Sequence, residues 1–245
     1  MNVLTSISIN LTRYFNMTYI ILDSVFIIIF LALLFFKKRY ATFYFALISG
    51  IIYWLVDYGL FYLASGSRQI FVSGIEQDNL HTALILFWMS MSYGITNFAF
   101  IWLCLSKDKH LKEWLFLIIM WWIACPILSS IGGGFNIETT RTTTKYHYIM
   151  VIFLLVGYGG LIIHNLFTKK SNINILWLCL IGIAVQFSWE AALLIGGIRP
   201  INSASLVTLF VDSLVETNMG MPYIYLIYLG FTYHYTEDLK KIKIK

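Results

Sequence analysis

Seven stretches of this chain are almost continuously apolar: 18–36, 41–64, 81–105, 114–131, 149–168, 175–197 and 204–232. A helix rises 1.5 Å per residue, so about 20 apolar residues cross a hydrocarbon core of about 30 Å. Each stretch therefore predicts a membrane-spanning helix, and the expected fold is an all-α integral membrane protein, a seven-transmembrane-helix bundle forming one domain over 1–245. Lys37-Lys38-Arg39-Tyr40 makes a tight hairpin between the first two spans. The segments 65–80 and 132–148 are the longest links and the richest in Gly, Ser and Thr. The last span is long enough to tilt or to project. The first apolar run is long enough to span, so no cleavable leader is expected.

Charged residues orient the bundle. Lys37, Lys38, Arg39, Lys107, Lys109, Lys112, Lys169, Lys170, Lys240, Lys241, Lys243 and Lys245 fall on one side, and only Arg13, Arg68, Arg141, Lys145 and Arg199 on the other. The side richer in Lys and Arg faces the cytoplasm, so the N-terminus is expected outside and the C-terminus inside. Asn10-Leu11-Thr12 and Asn16-Met17-Thr18 match the glycosylation pattern on the outer side.

Composition agrees with this class. The chain is 59% hydrophobic and 12% charged, against about 25% charged in soluble domains. The net charge of +5 follows from the inner loops and is no sign of nucleic-acid binding. Cys104, Cys125 and Cys179 lie in apolar segments and read as packing residues. With few His near the acids, neither a metal nor another cofactor is expected. The last span has no Lys for a retinal Schiff base, and no phosphate loop or nucleophile elbow is present.

The informative polar positions are carboxylates. Asp57, Glu190, Asp212 and Glu216 sit inside spans that contain no Lys or Arg. An uncompensated carboxylate at mid-membrane costs about 2.5–3.5 kcal/mol on insertion scales. Counting rise from the inner ends, Asp57, Glu190 and Glu216 lie at roughly 24, 22 and 24 Å, one level in the outer half of the bilayer. Asp212 is one turn from Glu216 on the same face. Asp23, near the outer start of the first span, is expected to face headgroups or water. Close, buried carboxylates cannot all ionise, so at least one is expected to be neutral, and a neutral acid is a proton donor.

Aromatic and polar neighbours extend the candidate site: Trp54 and Tyr58 beside Asp57; Trp88, Tyr93 and Asn97 in the third span; Trp189 beside Glu190; Asn218 beside Glu216. Aromatic faces stabilise cations. Pro126 and Pro222 are expected to kink their spans. Gly157, Gly159 and Gly160 are expected to let helices approach closely. A weak parallel repeat relates Trp54, Asp57 and Asn97 of spans 2–3 to Trp189, Glu190 and Asn218 of spans 6–7.

Trp54-Leu55-Val56-Asp57-Tyr58, Phe87-Trp88-Met89 and Glu216-Thr217-Asn218-Met219-Gly220 resemble motifs of the small seven-span membrane-bound terpene cyclases of fungal meroterpenoid and indole-diterpene pathways and their bacterial relatives. The acid types look exchanged relative to that family, and the adjacent Trp–acid pair here is Trp189-Glu190. The resemblance implies acid-initiated cyclisation of a lipophilic isoprenoid, with Asp57 and Glu216 as catalytic acids and Glu190 in support. The alternative expectation is a carrier of a small solute, for which the acids would allow proton coupling: the three-plus-one-plus-three arrangement resembles the sugar transporters of the SWEET kind, although their prolines are absent. Either way the expected partners are the lipid bilayer and a lipophilic substrate or a small solute. The expected location is a membrane crossed several times, the cell membrane in a bacterium.

Overall fold

The computed structural model describes residues 10–142, 146–168 and 173–243. Lys145, Lys169, Lys170 and Lys245 of the charge count lie outside them. The elements run β1 (Asn10–Asn16), α1 (Met17–Phe36), α2 (Tyr40–Trp54), a π-helical continuation of α2 (Leu55–Ala64), β2 (Arg68–Val72), β3 (Ile75–Glu76), α3 (Asn79–Leu105), α4 (Leu111–Ser129), β4 (Asn136–Thr142), α5 (Tyr146–Phe167), α6 (Ile175–Ile195) and α7 (Ser203–Lys243).

Among the described residues, six helices are long and apolar enough to cross a membrane: Met17–Phe36, Tyr40–Ala64, Asn79–Leu105, Leu111–Ser129, Tyr148–Phe167 and Ile175–Ile195. The seventh apolar stretch forms a helix too, but α7 runs 41 residues and is less apolar overall. Helix starts are set by side-chain caps. Asn16 accepts from Tyr19 N at 2.8 Å, Asp78 from His81 N at 2.8 Å, and Asn174 from Trp177 N at 2.9 Å, each satisfying an otherwise orphaned first-turn amide. The backbone amide of His81 holds the Asp78 carboxyl below the usual carboxylate range. α3 is the central helix, buried along most of its C-terminal half from Ser92 to Leu105.

Glycine governs the tightest helix contacts. A Cβ on Gly94 of α3 would lie 2.8 Å from Gly50 Cα of α2, and one on Gly157 of α5 would lie 2.9 Å from the Pro222 ring of α7. Gly182 of α6 lies directly against the Asn218 side chain of α7. Gly159 and Gly160 face open space instead, so of the three glycines expected to draw α5 close, only Gly157 does so.

The links at one end of the bundle form a four-stranded antiparallel sheet in the order β1-β4-β2-β3. The Gly, Ser and Thr content of 65–80 and 132–148 concealed these strands. Their period-2 pattern is nevertheless present. Leu11, Arg13 and Phe15 of β1, Arg68, Ile70 and Val72 of β2, and Ile137, Thr139 and Arg141 of β4 share the inner face. Leu11, Phe15, Ile70, Ile137 and Thr139 are buried there against the helix ends, and Phe15 meets Trp88 edge-on at 5.3 Å. The α6–α7 link joins the same end through Tyr14 N to Ile198 O, 2.8 Å. The sheet thus caps the bundle, and it gathers at one end the four links that the charge pattern assigns to one side.

Candidate functional site

Beneath the cap, the span carboxylates meet arginines. Arg68 of β2 donates to Asp57 Oδ1 at 2.7 Å, with the residues 4% and 1% exposed. The other oxygen of Asp57 accepts from Tyr93 Oη at 2.6 Å and Ser90 Oγ at 3.3 Å, both on α3. Asp57 lies in the π-helical segment, a rare backbone form that recurs at functional sites. Arg141 of β4 reaches Glu216 Oε1 of α7 at 3.2 Å, while Gln186 of α6 donates to Oε2 at 3.1 Å. Glu190 of α6 takes two cations: Arg199 from the α6–α7 link at 3.0 Å, and Arg13 of β1 at 3.4 Å. Asp212 is 1% exposed, and its carboxylate lies with those of Glu190 and Glu216 so that single oxygens of the three fall within 4.8 Å of one another.

The expectation of carboxylates lacking cations is therefore corrected. Each of Arg13, Arg68, Arg141 and Arg199 reads from its link position as an exposed outer charge, yet each turns inward onto a span acid. A guanidinium at contact favours the charged form of its partner. The argument for a neutral, proton-donating member rested on burial and like charge; the arginines oppose both, while Glu190, Asp212 and Glu216 stay crowded within 4.8 Å. Asp23 of α1 has no arginine partner among the described residues. It is 3% exposed rather than facing headgroups, and it accepts from Trp121 Nε1 at 3.1 Å.

The electrostatics follow from crowding. Arg68 and Arg141 are directly paired across β2 and β4, where like charges destabilise a sheet; Asp57 and Glu216 below them offset that repulsion. Burial disfavours the charged form of Arg141, but Glu216, Asp57 and Asp212 outweigh it and raise its pKa. For Arg199 burial prevails over Glu190 and pulls the guanidinium down to about 10.

A cavity of about 20 Å³ lies among these groups, lined by Arg13, Tyr53, Arg68, Tyr93, Asn97, Arg141, Gln186, Trp189 and Glu216. That is room for roughly one water. Arg68 Nε and Asn97 Oδ1 are buried without hydrogen-bond partners, one unmet donor and one unmet acceptor in the same chamber wall.

Of the candidate residues, Tyr93, Asn97, Trp189 and Glu216 line the chamber. Asp57 and Glu190 reach it through their arginines, and Asp212 lies beside the two glutamates. The others are placed elsewhere. Trp54 donates to Ala83 O at 3.1 Å and stacks on Tyr58, 6.1 Å between centroids. Trp88 packs edge-on against Phe15 and Tyr19. Asn218 accepts from Tyr158 Oη at 2.9 Å, so the matched asparagines of the weak repeat have different surroundings. Sequence reasoning missed Arg13, Arg68, Arg141 and Arg199 as site residues, while Tyr53 beside Asp57 and Gln186 beside Glu190 follow from their place next to the acids. The signal for three of the arginines is their place in the alternating strands.

The three clustered carboxylates are the arrangement closest to a metal site among the described residues. Glu190 and Glu216 already hold guanidinium groups, so the cationic role there is taken by the protein itself. No model of a protein family matches this chain, and neither does any curated protein or solved structure.

Proposed function

We propose that this chain is a multi-pass membrane carrier for a small zwitterionic or dipolar solute. In this reading α7 completes a seven-span bundle, with the sheet outside and the C-terminus in the cytoplasm. The observation that carries the proposal is the chamber between sheet and bundle, where arginines from the cap are matched to carboxylates from the spans around a small polar cavity.

The physical argument is one of exchange. A buried ion pair gains Coulomb energy and loses hydration in nearly equal amounts. Replacing an Arg–carboxylate contact by a contact with a ligand of the same charge type is therefore close to balanced, and the cap is held by contacts a solute can take over. Four arginines face four carboxylates, so a ligand with net charge would be uncompensated in a low dielectric. A ligand with an anionic and a cationic end leaves the balance intact. Its anionic end would meet Arg68 and Arg141; its cationic end would meet Glu216, Asn97 and the faces of Tyr53 and Trp189. The orientation is supported by the arginines of the capped end being committed to carboxylates, which leaves the basic loops of the other end as the free positive charge.

The test is solute flux into liposomes that contain the purified chain, scanned over labelled amino acids, sugars and short carboxylates, with and without a pH gradient. Protein-dependent uptake of a zwitterion, reduced at least about tenfold in Glu216→Gln, is expected from loss of one charged contact, roughly 1.4 kcal/mol or more. Flux of none of these solutes would sink the carrier reading.

A second reading, a membrane-embedded enzyme with a lipophilic isoprenoid-type substrate, is favoured by one observation: Asp23, without an arginine, beside Trp121. That is a buried acid hydrogen-bonded to the N–H edge of an indole that stacks on Phe26 at 4.4 Å, an acid among aromatic rings as a carbocation mechanism needs. Its mark would be a linear polyene lipid that accumulates with Asp23→Asn, but not with wild type, in mass spectra of copurifying small molecules.

A further inference from the structure

The end of the bundle opposite the sheet holds a second and larger cavity, of about 480 Å³. It is a groove between α1 and α4, roofed by the α1–α2 turn and the α3–α4 link. Its rim carries Lys37, Arg39, Lys109 and His110, with Glu113 as the acid among its lining residues. Its walls are Leu33, Trp114 and Leu117. Arg39 is tied to Asp108 by an ion pair, which fixes the guanidinium at the rim while Lys37 and Lys109 stay exposed. Trp114 is 7% exposed, and its indole N–H is buried without a hydrogen-bond partner. A buried donor left unmet is unfavourable, so the Trp114 ring gains if it turns its N–H toward an acceptor in the groove.

We infer that this groove is a binding site for the headgroup and upper acyl chain of an anionic phospholipid. The rim supplies positive charge for a phosphate, and a turn of the Trp114 ring presents its unmet N–H to a phosphate or ester oxygen. Leu33, Leu117 and the Trp114 ring supply an apolar face that a water-soluble phosphate would leave unused. Basic pockets between spans at a membrane interface bind lipid headgroups in this way. The site is separate from the capped chamber, and it stands whatever that chamber carries.

The experiment uses the full-length chain in detergent. Native mass spectrometry and thermal stability are followed while phosphatidylglycerol, phosphatidylcholine or glycerol 1-phosphate is added. Phosphatidylglycerol is expected to stay bound and to raise Tm; the other two are not. Lys37→Ala and Lys109→Ala should each weaken its binding about fivefold. Trp114→Phe, which keeps the ring and removes the donor, should weaken it by a comparable factor. Lys112→Ala, which removes a charge at the same end but outside the groove, should leave it unchanged. Equal retention of phosphatidylcholine would overturn the inference. So would equal stabilisation by glycerol 1-phosphate, or equal loss with Lys112→Ala.

Discussion

At the scale of single residues, this molecule turns on where four arginines point. Asp57 and Arg68 are nearly sealed from solvent and in contact at 2.7 Å. Removing one member leaves the other charge buried and uncompensated, which costs about 3–5 kcal/mol, whereas replacing both by apolar side chains of similar size is often neutral. Arg68→Ala and Asp57→Ala are each expected to lower stability in detergent by that amount. The double variant Asp57→Leu/Arg68→Met should recover most of the loss. If the double variant were as unstable as the worse single one, the pair would not be the unit that matters there. The carboxylates of this site were legible from sequence because an acid stands out in an apolar run. The arginines were not, because a positive residue in a polar link looks the same whether it faces water or turns inward. Only pairing with a partner far along the chain, such as Arg13 with Glu190 or Arg141 with Glu216, decides between the two.

At the scale of elements, the helices were readable almost to their ends, since continuous apolar length is a strong local signal. The spans expected at 18–36, 41–64 and 175–197 are observed within two residues of those bounds, as Met17–Phe36, Tyr40–Ala64 and Ile175–Ile195. The strands were not readable by the same route. β1, β2 and β4 alternate over only five or seven residues, and arginine occupies inward positions where an apolar residue would reveal the period. Helix proximity, by contrast, depends on single glycines whose neighbours lie on other elements. The α2–α3 contact needs Gly94, because a methyl group there would meet the backbone of Gly50 at 2.8 Å and backbone cannot swing aside. Gly94→Ala is expected to separate the two helices and lower stability by about 1–3 kcal/mol, the usual effect of overpacking. Gly160→Ala, in open space, is the matched control and should be neutral or nearly so. Thermal unfolding of the two variants side by side measures the difference. Comparable losses from both would mean that backbone freedom rather than the Gly50 contact is what glycine supplies.

At the scale of the whole molecule, the sheet binds distant segments into one cap and so imposes a shared sidedness on them. β1 precedes α1, β2 and β3 separate α2 from α3, and β4 separates α4 from α5; hydrogen bonding among them requires that all three links emerge at the same end. Any orientation must then place Gln69 of β2, exposed on the outer sheet face, opposite Lys38 of the α1–α2 turn, also exposed. In the proposed orientation the Lys38 end, the richer in lysine, faces the cytoplasm. In a background with Cys104, Cys125 and Cys179 replaced, Gln69→Cys is expected to react with a membrane-impermeant maleimide on intact cells. Lys38→Cys should react only after permeabilisation. A cysteine at Ile70, one residue along β2 but 1% exposed beneath the cap, adds a measure of motion to this test of sidedness. If the cap lifts when solute enters, Ile70→Cys should label slowly in the resting protein and faster when the transported zwitterion is present. Slow labelling with no response to any solute that is carried would mean that the cap stays closed, and that the route to the chamber runs between helices instead.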